Sequence, residues 1–373
     1  MSIAPLIARY ADRFHRAVGD GHHVASPLGA WLVLALAAPA APAAVGEVRD
    51  ELTDVLGTSP EAARDAAAAL LEHPHPAIAS AAAVWRDPSV VAALQSWLSG
   101  LPGPVEVGEI PSPAAADRWA SEHTLGLIDK FPVSIKSDTI LVLASALATR
   151  VDWETPFQLV PSAELNSPWS DRVTQALRSV PSHTAYIASS AVGDVAVHAA
   201  RSADGLEVTS VIAAPDAPAA DVLAVAHRTL ERQSLFDLPL GDGPLWTISE
   251  ASGRPGERHV AVLPAWSARS EHKLMRPEFG FPAAAQGLIE LLPGRAYSVE
   301  AKQSALARFS RTGFEAAAVT GMAMTASLVT EGRQRTATLR FGRPYAVVAR
   351  ATTGEWDGVP VFSAWVVDPE EPA

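Results

Sequence analysis

Ser270 and Lys273 stand three residues apart in the run SEHK, a spacing at which a lysine amine could take the proton of a serine hydroxyl and leave a nucleophile. Two fixed positions at the end of an alternating run make a weak signature. His22 with His23, and His73 with His75, offer imidazoles for a metal or a general base. They lie beside glycine or proline, with no carboxylate or cysteine at ligand spacing, and so read as solvated loop residues. No nucleophile elbow, phosphate-binding loop or pair of histidines at helical ligand spacing is found. No motif here supports catalysis by the chain's own side chains, so the sequence predicts no catalytic residue, no metal and no cofactor.

Chemistry supplied by a second molecule needs a different stretch, one that offers its backbone. Thr312 to Leu328, TGFEAAAVTGMAMTASL, has that character. Extended, it places Phe314, Ala316, Ala318, Thr320, Met322 and Met324 on one face, which suits a core. The opposite face, Glu315, Ala317, Val319, Gly321, Ala323 and Thr325, is small and carries one charge, and no proline deletes a ladder donor. The run is suited to joining a sheet; a plain alanine-rich helix is the alternative.

Such a segment needs a scaffold. Leu6, Ile7, Tyr10, Phe14 and Val18 recur at helical spacing, and Ser26 with Pro27 opens a second helix that is apolar on every side. Helices are expected at about 45–56, 60–71 and 111–130, a strand at 77–85, and a long strand at 139–151 buried on both faces. From Val173 onward short runs at strand spacing take over, near 183–188, 195–199 and 206–213. A helix at about 219–232, a strand at 258–274, a short helix at 282–291 and an alternating strand at 299–310 follow. Helices beside strands that flank a removable segment give an α+β class, expected as one unit over residues 1–373.

With 48% hydrophobic and 19% charged residues, the 373-residue chain can bury a large core, which excludes a disordered or fibrous protein. A net charge of -12 argues against nucleic acid or an anionic membrane as the main partner. The absence of cysteine excludes disulfides and thiolate chemistry. Residues 28–44 resemble a signal-peptide core superficially. They are broken by Pro39 and Pro42 and preceded by a long leader of mixed charge, so a cytoplasmic protein is expected.

Four blocks, in order, resemble the serpin family. The first two are HVASPLGAWLVLAL, similar to its buried early helix, and LVLASALATRVDWETPF, similar to a central-sheet strand and the tryptophan that follows it. Gly313, Phe314, Glu315, Ala316, Ala317, Ala318, Val319 and Thr320 are similar to the hinge of the reactive loop, and Phe341 to Pro369 is similar to the C-terminal strands. The resemblance implies the serpin fold, helices packed around a large central mixed β-sheet, with a reactive loop at about 311–340. It also implies a suicide substrate: a serine protease attacks the loop, forms an acyl-enzyme, and is carried off as the hinge inserts into the sheet. The expected partner is therefore a serine protease, acting on a monomer.

Two counts place the bait differently. Family spacing from Gly313 puts the scissile bond at Ser327–Leu328, with Ala326, Ser327 and Leu328 suiting an elastase- or subtilisin-like enzyme. Counting back from Phe341 and Pro344 lands near Arg333, which, like Arg335, would suit a trypsin-like one. The family's sheet-opening region maps onto Ser26, Ser145, Trp153 and Gln303, with Gly29 in place of a serine. Phe314 departs from the pattern, since a small residue usually enters the sheet first. A non-inhibitory, serpin-like binding module is the alternative, and an enzyme built on this scaffold is a third.

Overall fold

Helix α1 (Ala4–Val18) buries Ile7, Tyr10 and Phe14 along one stripe, as their spacing predicts, and ends at Gly19, whose φ of 98° a side chain would strain. The structure is a computed structural model, and it describes residues 3–42, 45–253, 255–292, 297–314 and 332–372. Among the described residues seven further α-helices follow: α2 (Pro27–Ala37), α3 (Gly46–Leu56), α4 (Pro60–Glu72), α5 (Val91–Leu98), α6 (Pro113–His123), α7 (Ala219–Ala226) and α8 (Phe281–Ile289). Every residue of α2 except Val33 is buried, in keeping with its all-round apolar composition.

The first ten strands are β1 (His23–Ala25), β2 (Ala79–Arg86), β3 (Glu106–Glu109), β4 (Leu141–Ala148), β5 (Val151–Asp152), β6 (Gln158–Pro161), β7 (Gln175–Arg178), β8 (Thr184–Ser190), β9 (Gly193–Arg201) and β10 (Leu206–Ile212). The remaining strands are β11 (Gly241–Asp242), β12 (Trp246–Gly253), β13 (Gly256–Leu263), β14 (Trp266–Lys273), β15 (Lys302–Phe309), β16 (Gly313–Phe314), β17 (Gly332–Arg340), β18 (Tyr345–Ala351) and β19 (Pro360–Val366). They form two six-stranded sheets, ordered β1-β19-β18-β10-β9-β8 and β11-β12-β17-β13-β7-β6. Two smaller sheets, β14-β15-β16-β5 and β3-β2-β4, lie beside them. The protein is α+β.

The core lies on both faces of the first sheet. Val347, Ala349 and Ala351 of β18 turn toward α1 and α2, while Ala346 and Val348 turn toward Val222 and Val225 of α7. Both faces being covered explains why β18 and β19 read as continuous apolar runs rather than alternating ones. A third cluster joins Trp85 of β2 and Val142 of β4 to Trp119 of α6.

Three expected elements differ. The strand expected over 258–274 is two strands in different sheets, because Pro264 and Ala265 carry the chain from β13 to β14. The helix expected over 111–130 stops at His123, where Leu125 and Gly126 take left-handed φ values of 54° and 76° and Thr124 Oγ1 bonds back to Ala120 O. The helix expected over 219–232 stops at Ala226, and the chain then runs beside β8, with Arg232 bridged to Ala188.

Candidate functional site

Residues 24–29, from β1 into α2, are bonded to strands of three sheets. Ser26 caps α2: its Oγ accepts from Gly29 N–H at 3.2 Å and donates to Val361 O of β19 at 2.8 Å. Gln303 of β15 grips the backbone of the same residue, accepting from Ser26 N–H at 3.0 Å and donating to Ser26 O at 2.8 Å. On β14, Ser270 Oγ accepts from Val24 N–H at 3.1 Å and His272 Nε2–H donates to Val24 O at 2.8 Å. From the third sheet, Ser145 Oγ of β4 donates to Gly29 O at 2.7 Å. Residues 24–29 thus tie the β3-β2-β4 sheet and the β14-β15-β16-β5 sheet to one short stretch of backbone. A β-carbon on Gly29 would lie 3.0 Å from Leu147 Cδ1 and 3.3 Å from Ser26 Oγ, so the glycine is what lets β4 close on α2.

Between β4 and β15 runs a seam. Among the described residues β4 pairs only with β2, and β15 with β14 and β16. At one end β16 fills the seam with antiparallel pairs on both sides: Gly313 opposite Asp152 and Phe314 opposite Val151 on β5, and Phe314 opposite Phe309 on β15. A cavity of about 780 Å³ follows the rest of the seam, lined by residues that include Leu143, Ser145 and Leu147 of β4, Gln303 of β15, Leu288 of α8, and Phe314. The expectation that the 139–151 strand is covered on both faces fails for this reason. Leu141, Leu143, Ser145 and Leu147 border the cavity and are half-buried, whereas Val142, Ala144, Ala146 and Ala148 are buried.

Trp153 closes the filled end. Its backbone N–H donates to Thr312 O at 2.9 Å and its indole N–H to Ser310 O at 3.1 Å, while its ring packs on Phe157 and Phe309 at centroid distances of 6.2 and 5.2 Å. Ser310 Oγ accepts from Gly313 N–H at 3.2 Å, which fixes the turn into β16. Phe314 itself is 2% exposed, edge-on to Trp266.

No protein-family model matches the chain, and no curated protein matches its sequence. Solved structures do match it along almost its whole length. The native state of tengpin, a thermophilic serpin, superposes with a TM-score of 0.67 at 14% identity, covering 98% of this chain and 94% of that one. Serpin48 of the insect Tenebrio molitor gives 0.63 at 14% identity, covering 99% and 98%. Thyroxine-binding globulin in complex with thyroxine gives 0.63 at 13% identity, covering 99% of both chains. The chain has the serpin fold.

Within this serpin fold the residues expected at the sheet-opening region, Ser26, Ser145 and Gln303, come together around the α2 cap, and Trp153 sits at the filled end of the seam. Of the expected hinge, Gly313 and Phe314 form β16. Glu315, Ala316, Ala317, Ala318, Val319 and Thr320 lie outside the described residues, as do Ala326, Ser327 and Leu328 of the expected bait. Arg333 is the second residue of β17, paired with Ser252 of β12, and its guanidinium forks onto Glu250 through two bonds of 2.8 Å. Arg335, two residues on, is held by Glu250, by the carbonyls of Leu235 and Leu238, and over the Phe236 ring at 4.9 Å. Those two arginines, rather than burial, hold the Glu250 carboxyl below the usual carboxylate range.

The histidines overturn the sequence reading. His23 and His75, expected as solvated loop residues, are 4% and 5% exposed. His75 Nε2 bonds Thr353 Oγ1 at 2.9 Å while its Nδ1 accepts from Ala77 N–H. His22 is half-buried, accepting from Val367 N–H and donating to Ser267 O. His73 alone matches the expectation of an exposed side chain, and bonds Ala69 O. Thr353, Ser267 and Val367, the partners of His75 and His22 across the fold, lie more than two hundred residues away in sequence, so no local spacing could have disclosed them. Among the described residues no three His, Asp or Glu side chains are grouped so as to hold a metal ion. Near the filled end, His183 Nε2–H donates to Thr155 O, and its Nδ1 accepts from His198 Nε2–H at 3.2 Å. Burial pushes both of these imidazoles below their ordinary value.

Proposed function

We propose that this chain inhibits a serine protease as a suicide substrate, with the hinge at Gly313 to Thr320 and the bait at Ala326, Ser327 and Leu328. The supporting observation is the seam. β4 and β15 stand unpaired to each other, and among the described residues the only strand pairs spanning their two sides are those of Gly313 and Phe314, which begin the hinge. A strand continuing from Phe314 gains ladder bonds on both edges and covers the half-buried leucines of β4. The protease serine would attack the bait carbonyl, release the segment that follows as a new amino terminus, and remain esterified to the hinge. Insertion would then move the acyl-enzyme away from the loop's starting position before water can complete hydrolysis.

The position of Arg333 supports the bait before it. A trypsin-like enzyme cutting there would have to peel β17 from β12 and break the Glu250 fork, whereas cleavage near Ser327 leaves both intact. The small and aliphatic residues Ala326, Ser327 and Leu328 suit an elastase- or subtilisin-like enzyme.

A second reading keeps the fold and removes the inhibition. Phe314 occupies the first paired position with a large buried ring, and a similar structure is that of a globulin complexed with thyroxine, so a ligand-carrying module fits the same scaffold. One experiment separates the two. The protein is mixed with elastase, subtilisin and trypsin, and the products are run on a denaturing gel with mass analysis of the released C-terminal peptide. A denaturant-resistant complex, with a peptide beginning near Leu328, supports inhibition. Clean cleavage without any complex refutes it and favours the carrier.

A further inference from the structure

Four imidazoles meet where α1, β1, β14 and the end of α7 converge, on the side of β1 that leads to the Ser26 cap. His15 lies 5.2 Å from His23 and 6.3 Å from His227 between ring centroids, and His23 lies 6.2 Å from His272. His15, His23 and His272 are buried; His227 keeps some exposed area, but both of its ring nitrogens are shielded and without a hydrogen-bond partner.

The hydrogen bonds of the relay are satisfied with one proton on each ring. His23 Nδ1–H donates to Gly21 O at 2.8 Å, so its Nε2 accepts from His15 Nδ1–H at 2.9 Å, and His15 Nε2 in turn accepts from Ser363 Oγ–H at 2.6 Å. Every ring in this relay carries a single proton. A second proton on His23 would turn its Nε2–H onto His15 Nδ1 and force His15 into its other tautomer, with Nε2–H donating to Ser363 Oγ, and one on His227 would find no acceptor. The charged groups that face the cluster do not compensate. Arg350 of β18, bonded to Ala226 O, acts on His227, and His22 stands beside His23. The ion pairs of Arg16 with Asp12 and Asp221 join α1 to α7 at the surface. Among the described residues none of the four imidazoles hydrogen-bonds a carboxylate.

We propose that this cluster is an acid-sensitive latch: proton uptake by the four imidazoles frees β1 and α1 from β14, and so releases the β14–β15 half-sheet from residues 24–26. The link is direct, since His272 bonds Val24 O and lies opposite Gln303, which grips Ser26. The latch does not require that the chain trap a protease.

Burial, with neighbouring positive charge, sets the His23 imidazole at about 4 and that of His227 at about 3, and holds those of His15 and His272 below their usual value. A group depressed in the closed state takes up its proton on opening, so opening is favoured as pH falls below about 6.5 and is indifferent above it. His23 and His227 alone raise the opening constant about 25-fold between pH 6.5 and 5.5, and the other two add to this.

The test is hydrogen–deuterium exchange on the intact protein between pH 7.5 and 5, corrected for the intrinsic pH dependence of exchange. Peptides covering 10–25 and 266–273 should gain exchange by at least 25-fold from pH 6.5 to 5.5, while those covering 79–86 in β2 should not. His227→Phe, which removes the unpartnered ring, should flatten that rise several-fold. Should this variant misfold, imidazole nitrogen shifts of the wild type decide the matter. Singly protonated rings down to pH 5.5 in the closed state are expected. Four rings titrating near 6.5, or exchange at β1 that is indifferent to pH, would overturn the latch. Neither readout involves a protease, so failure of the latch and failure of the inhibitor reading are told apart.

Discussion

Replacing Gln303 with leucine should weaken the intact protein without touching the loop. The amide makes two bonds to the Ser26 backbone, at 3.0 and 2.8 Å, and Ser26 is 5% exposed, so water cannot take over both groups. Two such bonds contribute about 1 kcal/mol each net, and leaving buried partners unsatisfied adds further cost. A loss of about 3 kcal/mol is therefore expected. Unfolding a chain of 373 residues carries an entropy of about 0.8 kcal/mol per kelvin at its midpoint. That loss converts to a drop of about 4 °C in Tm for the uncleaved protein. The assay is thermal unfolding by circular dichroism at a fixed scan rate, with Arg308→Ala, an exposed change on the same strand, as the control. The control should stay within a degree of wild type. If Gln303→Leu does so too, the pin on Ser26 carries no strain across the seam and the account of residues 24–29 is wrong.

Ala318→Pro should abolish any denaturant-resistant protease complex while leaving the loop cleavable, because proline removes a ladder donor from the inserting strand; persistence of the complex on a denaturing gel refutes insertion. Arg335→Ala should destabilise by about 2–4 kcal/mol, since it frees two carbonyls and Glu250, whereas Arg333→Ala, with its side chain 70% exposed, should cost about 0–1 kcal/mol in denaturant titrations. Burial lowers the imidazoles of His15, His23, His75, His183, His198, His227, His259 and His272. The unfolded chain therefore binds more protons below about pH 6.5. Histidine-linked stability should be flat above that pH and fall below it, each group adding up to about 1.4 kcal/mol per pH unit. A Tm unchanged from pH 7 to 5.5 would contradict this.

Much of the architecture follows from local pattern. Ser26 and Pro27 mark the start of α2, period-two runs mark β10 and β15, and Ala305, Ala307 and Phe309 are buried on the face that alternation assigns them. The same face carries Gln303, whose partner 277 residues away makes sense of a polar residue there. What local pattern cannot carry is choice between sheets. The run through Pro264 is apolar on either side, so alternation alone does not separate β13 from β14. Nor does composition reveal the seam, since an apolar edge awaiting a strand and a fully covered strand are written in the same residues. The reading of His75 failed for a related reason: it meets Thr353 across 278 positions, and adjacency to proline says nothing of that.

The short backbone of residues 24–29, held from one side by Ser145 and from the other by Gln303 and His272, separates two properties that would otherwise have to be tuned together. On the proposed function, which protease is drawn in would depend on the residues of the loop, whereas how long the protein keeps its as-made form would depend on these few polar bonds, remote from the loop in sequence. Libraries randomised over 24–29 and their partners would thus set shelf life, and libraries over the loop would set target choice. Each could be selected in its own round and then combined, because Gly313–Phe314 at one end and β17 at the other fix the loop's attachment to the scaffold.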